Sequence, residues 1–269
     1  MTERRRESST KLPHIGTKSG RDFFESWRDI NRFFHWLTHM VVHIDRAGEE
    51  AHKVLVETAR SEAERQELEN QWKTRVSPIE QLKSHRQFLV EVILVRHVEN
   101  YLNYLSGLLY EVFTQRPETL RSSDRVELEA VLRHESIESL VREVAERKVE
   151  SLSYSSFADL CEFFADRFKL TVASHADRST LIELIEVRNI SVHNRCIVNK
   201  RFASRSGAPE ASIGKKKQLG IADLDRLVPL LANRVRALDA EARRRLKIRG
   251  TRFGSAARAN KPLQPPSGA

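Results

Sequence analysis

Apolar residues recur at steps of three and four along most of this chain, and that spacing predicts helices. From about residue 21, Trp27, Ile30, Phe34, Leu37, Val41 and Ile44 mark one apolar face. The pattern thins through 47–75 but stays helix-friendly (Ala51, Leu55, Ala59, Leu68, Trp72), with Gly48 as the expected break. Ser77-Pro78-Ile79-Glu80 is a start signal, with a capping hydroxyl, a proline at the first helical position and a glutamate three residues past the cap. The helix it opens runs to about 115 and is apolar on most sides between Phe88 and Tyr110, so it is expected at the centre of the fold. Shorter helices are predicted over about 124–133, 137–150 and 156–169, with Ser136 and Ser155 or Ser156 as caps. Thr180-Leu-Ile-Glu183 reads as a second capping box, opening a helix to about His193. Residues 195–220 read as an irregular basic loop, and 221–247 as a last amphipathic helix. The expectation is an all-α fold: a helical bundle with a long N-terminal αα-hairpin and shorter C-terminal helices.

Composition refines this picture. The chain has 269 residues, 40% of them apolar and 31% charged, which suits long solvated helices. Gly and Pro are sparse between 21 and 200, against a many-stranded fold. Net charge is +9, but the first 21 residues carry +4 and the last 30 carry +7, leaving the body at −2. Both ends are therefore expected to be disordered basic segments, 1–20 and 249–269. Between them lie an N-terminal helical arm, 21–76, and a main helical domain, 77–248. Cys161 and Cys196 form neither a metal-type spacing nor a disulfide framework. No apolar leader or membrane-length run is visible, so the expectation is a cytoplasmic protein without a membrane partner.

The candidate chemistry sits on the helix after Thr180. Advancing 100° per residue from Leu181, the residues Leu184, Ile185 and Val192 share one sector, and Arg188 falls inside it. A guanidinium cannot shed its charge, so Arg188 requires an anion, either a carboxylate or a phosphate. His193 lies about 140° away on the same wheel. The two converge only if the helix ends near His193 or a second chain completes the site. Histidine trades protons near neutral pH, and arginine holds phosphate bidentately. Together they suffice to cleave RNA through its own 2′-hydroxyl. Asn189, Ser191 and Asn194 are candidates for hydrogen bonds to phosphate or sugar.

The stretch Glu186-Val-Arg-Asn-Ile-Ser-Val-His-Asn-Arg-Cys-Ile-Val-Asn199 resembles the signature of the HEPN superfamily, in particular its bacterial HEPN-like ribonuclease domains. The signature is an arginine, then usually a polar residue, then a histidine after a gap of four to six. Arg188, Asn189 and His193 match it with a gap of four. Upstream, Arg96-His-Val-Glu99, Tyr110-Glu-Val-Phe113 and Pro117-Glu118-Thr-Leu120 also look like bacterial relatives, so the resemblance spans about 80–205. It implies a helical bundle that homodimerises with the two motifs facing across a cleft. It also implies endoribonuclease activity in a bacterial toxin–antitoxin or antiviral system, with RNA as substrate and an antitoxin or defence protein as a further partner. Relatives often carry glycines just after the His-Asn pair, where this chain has Arg195-Cys196.

Arg188 and His193 are thus the expected catalytic pair, supported by Asn189, Ser191, Asn194 and Glu99, with Arg195, Lys200 and Arg201 as RNA contacts and neither metal nor cofactor required. Arg96, Glu99, Asn100 and Asn103 form a polar line on the central helix, read either as a set in which Glu99 pairs with Arg188 or Arg96, or as a solvated stripe. His35, His39 and His43 are four apart, but Arg28, Arg32 and Arg46 share their face, so they read as solvated rather than metal-binding. The competing reading of the whole is a non-catalytic HEPN-like helical dimerisation module.

Overall fold

The computed structural model describes residues 15–120 and 128–252, and the fold is all-α. Helix α1 spans Lys18–Glu57, α2 Glu62–Thr74, α3 Pro78–Ser84 and α4 Arg86–Gln115. A 3-10 turn at Pro117–Leu120 follows, then α5 (Leu128–Leu132), α6 (Ile137–Ser153), α7 (Phe157–Phe168), α8 (His175–Asn194), α9 (Lys200–Ser206) and α10 (Ile221–Leu246). Helix α4 is the axis of the bundle, with α1, α6, α8 and α10 packed around it. Its Leu94, Val98, Tyr101, Leu105, Leu108 and Val112 are almost wholly buried, which is why its apolar residues run round most of the helix.

Several boundaries depart from the periodicity. Gly48 does not break α1, which continues to Glu57. The chain turns instead at 58–61, where Ser61 caps α2 by accepting from the Glu64 amide. The helix opened by Ser77 stops at Ser84 and restarts at Arg86. Thr180 lies inside α8, not at its start: the helix begins one and a half turns earlier, after Ser174. Part of the predicted 124–133 helix is outside the described residues.

The ends of the body are more ordered than their composition suggests. Ile15–Gly16 pairs antiparallel with Thr251–Arg252 as two short strands, β1 and β2. Thr17 caps α1 from a buried position, and its amide and hydroxyl both donate to the Asp239 carboxylate on α10. Glu111 of α4 accepts from the amides of Lys18 and Ser19. The otherwise orphaned amides of the first turn of α1 thus face two carboxylates, which also complement the helix dipole. Residues 15–20 and 249–252 are built into the fold, so the expected disordered ends are corrected there; residues 1–14 and 253–269 lie outside the described residues.

The segment after α8 is likewise built rather than irregular. Arg195 and Cys196 both adopt left-handed backbone (φ 51° and 62°) and turn the chain out of the helix. Residues 196–198 then pair with 214–217 through Val198–Lys215, Gly214–Val198 and Lys217–Cys196 backbone bonds. Helix α9, capped by Asn199, fills the excursion between them.

Candidate functional site

Arg188 projects from α8 beside α4. Its Nη2 lies 3.3 Å from Glu99 Oε1 and its Nη1 donates to Asn189 Oδ1 at 3.2 Å. Arg96 Nη1 lies 3.2 Å from the other oxygen of Glu99. One carboxylate therefore sits between two guanidinium groups, a triad with net charge +1. The Arg188 and Glu99 side chains keep about a quarter of their surface exposed (26% and 27%), whereas the Arg188 Nε is buried without a partner. The anion demanded by the helical wheel is thus Glu99, and the guanidinium is held in place yet reachable from solvent.

Two wheel-based expectations fail beside it. Val192 is 48% exposed, so the apolar sector of α8 ends before its last turn. Asn100 does not belong to the solvated line of α4: it is buried and donates to the Phe23 carbonyl of α1.

His193 is exposed, with no hydrogen-bond or ion-pair partner among the described residues. Both Arg188 and His193 lie within the continuous helix α8, which ends only at Asn194. Helical geometry then separates them by about 140° in direction and about 7.5 Å along the axis. Fraying of the helix end is not available to bring them together. Asn194 and Ser191, expected to face a ligand, are used locally: Asn194 Nδ2 donates to the Ile197 carbonyl at 2.7 Å, and Ser191 Oγ lies 3.5 Å from Cys196 Sγ. The Cys196 thiol is fully buried, and burial pushes its pKa up, which suits packing rather than nucleophilic use.

Six of the seven cations of the basic segment fall into two sets. Arg205 pairs with Glu186 (3.0 Å), Lys216 with Glu91 (3.0 Å) and Lys217 with Glu183 (2.6 Å). These cations fasten the segment to α8 and α4, a role the sequence reading missed; the available signal was Glu186, an acid on a helix otherwise facing the core. Arg195, Lys200 and Arg201 are exposed and have no ion-pair partner among the described residues. Together with His193 they make a cationic corner where α8 passes into α9.

His35, His39 and His43 are exposed on α1, with His39 and His43 Nε2 atoms 3.1 Å apart. Among the described residues, no group of three or more His, Cys, Asp and Glu is placed to hold a metal ion. Nor is any helix of those residues long and apolar enough to cross a membrane. No family model, curated protein or solved structure matches the chain.

Proposed function

We propose that this protein is an endoribonuclease of HEPN type that cleaves RNA by attack of the 2′-hydroxyl, with a site completed by two copies of the chain. The observation that carries the reading is the exposed, unpartnered His193 on the same helix as a solvent-reachable Arg188, next to the unpaired cations Arg195, Lys200 and Arg201. On one regular helix the histidine and arginine point apart, so Arg188 of one copy and His193 of the other are the pair that would meet across a two-fold axis.

In the reaction, His193 takes the 2′-hydroxyl proton, and the 2′-oxygen attacks the adjacent phosphorus. The bond to the 5′-oxygen breaks, that oxygen takes a proton from water, to which His193 returns the one it took, and a 2′,3′-cyclic phosphate remains. Arg188 holds the phosphate and stabilises its developing charge. Glu99 orients Arg188, and Arg96 limits the negative charge that Glu99 brings to the site. Arg195, Lys200 and Arg201 gather the backbone by attraction that weakens with salt. A role in bacterial defence or as a toxin, with an antitoxin or partner enzyme, follows from the resemblance alone.

The Arg188–Glu99 ion pair favours a second reading, a non-catalytic helical dimerisation module in which Arg188 is structural. Cleavage of single-stranded RNA by the purified full chain separates the two. The nuclease reading expects cleavage that persists in EDTA and falls at least 100-fold in His193→Ala with the fold intact by circular dichroism. Unchanged cleavage in that variant removes His193 from the chemistry, and an inert wild type leaves the module.

A further inference from the structure

Helix α1 has two apolar faces, and only one of them is covered by other described residues. Phe23, Phe24 and Trp27 pack into the core, and the Asp45–His52 stretch packs on α2 through the Arg75–Asp45 ion pair and the His52–Trp72 stack. A second stripe is left in solvent. Phe33, Trp36, Met40, Ile44, Val54 and Leu55 are each 40–57% exposed, and Ala47 and Ala51 between them are exposed too. Phe33, Met40, Ala47 and Val54 are seven apart, and Leu37, Ile44 and Ala51 follow four residues behind. That is the repeat of a helix–helix seam. It exposes on the order of 500 Å² of apolar side chain, in the upper part of the range of the largest patch on a monomer, which is often functional. A groove of about 210 Å³, lined by Phe34, Leu37, Leu89, Ile93, Ile221 and Leu224, joins the stripe at Leu37.

We infer that this seam docks α1 of a second copy of the chain, antiparallel, about a two-fold axis near Ile44. Two features of the stripe select that occupant and direction. Its first half (Phe33, Trp36, Leu37, Met40) is on the whole larger than its second (Ala47, Ala51, Val54, Leu55). Antiparallel pairing sets Met40 against Ala47, Leu37 against Ala51 and Phe33 between Val54 and Leu55, with Ile44 on its own copy at the axis, so the alanines are filled by larger residues. Parallel pairing stacks large on large and leaves a gap over the alanines. The rim is polarised in the same sense. Arg32 lies at the N-terminal end and Glu57 at the C-terminal end, both exposed and neither in an ion pair among the described residues. Reversing one helix brings Arg32 opposite the second copy's Glu57, whereas parallel pairing sets each against its like. With its polar rim the seam reaches the range of about 800 Å² per partner of a standard interface.

The inference does not depend on nuclease activity, and mass rather than cleavage tests it. This seam is a contact separate from the α8 pairing, because Phe23, bonded to Asn100 beside the Glu99–Arg188 pair, lies about 30 Å along α1 from Ile44. Sedimentation of the full chain over a concentration series should give a dimer where the seam alone forms and a tetramer where α8 pairs as well. Trp36→Glu with Met40→Glu, both at exposed positions, should weaken association through the seam at least 100-fold, a tetramer falling to a dimer and a dimer to a monomer, while helicity and melting are kept. Arg32→Glu should weaken it about tenfold, and adding Glu57→Arg should recover it. For direction, oxidising a mixture of Phe33→Cys and Val54→Cys chains should cross-link them to each other, and neither should cross-link alone. The native Cys161 and Cys196 are buried and free. A monomer at all concentrations means that the chain's own ends or another protein cover the stripe, and overturns the inference. So does a dimer indifferent to these variants, or cross-linking of position 33 to itself.

Discussion

His97 shows how far burial governs single residues here. It is 1% exposed on α4, lies tilted beside Trp27, and has both ring nitrogens buried without partners among the described residues. Burial pushes its pKa down to about 4 from the ordinary 6.5. Between those values the unfolded chain binds a proton that the native state does not, so stability rises with pH across this window and is lost as pH falls. The expected loss between pH 7 and pH 4 is about 3 kcal/mol. Urea unfolding of wild type and His97→Leu at several pH values should show this slope in the former and not in the latter, while acid sensitivity unchanged in His97→Leu would assign it to other groups. The need of Arg188 for an anion was legible in the sequence because a guanidinium keeps its charge wherever it is buried. Which anion was not: Glu99 is 89 residues away, and only the packing of α8 on α4 selects it. The same holds for Asp239, bonded to Thr17 across 222 residues.

Elements were legible where periodicity is strong and obscure where the chain turns. Helices α1, α4, α6, α7 and α10 follow their apolar repeats, and Ser77 and Ser156 cap as their hydroxyls suggest. Thr180 misled because a capping box inside a helix has the same letters as one at its start, while Ser174 turns its hydroxyl to Asp177. The 195–220 segment misled because its lysines and arginines read as solvated, whereas three of them pair with acids on α4 and α8. The start of α1 gives the clearest element-scale prediction. A Cβ on Gly20 would meet Asp239 Oδ1 at 2.5 Å, and Asp239 is itself buried and bonded to the cap. Gly20→Ala and Asp239→Ala should each cost about 2–4 kcal/mol in thermal or urea unfolding. Gly48→Ala, in mid-helix, gains about 1 kcal/mol of helix propensity but presses on the Arg75 guanidinium that pairs with Asp45, so it should be near neutral. Equal effects at the two glycines would mean that the Asp239–Thr17 network does not hold the helix start.

At the scale of the whole molecule, the bundle buries one face of each long helix against α4 and leaves two features unused by its own fold. One is the apolar stripe of α1. The other is His193, carried on the opposite side of a regular helix from Arg188, which Glu99 holds. The chain's charge follows the same division: the body is net negative, three cations of its basic segment are tied down by acids, and Arg195, Lys200 and Arg201 have no ion-pair partner among the described residues. The fold class was legible in composition and period; that α8 would not fray before Asn194 was not, because the left-handed turn that ends it falls on Arg195 and Cys196, residue types that do not advertise it.

A site that takes its arginine from one copy and its histidine from another has a direct experimental signature. Arg188→Ala and His193→Ala chains, each inactive alone, should regain RNA cleavage when unfolded together and refolded as a mixture. Half of the pairs then hold one intact site, giving up to about a quarter of the wild-type rate. A mixture as inactive as its components, while mass measurements show that mixed pairs have formed, would contradict a site shared between two chains.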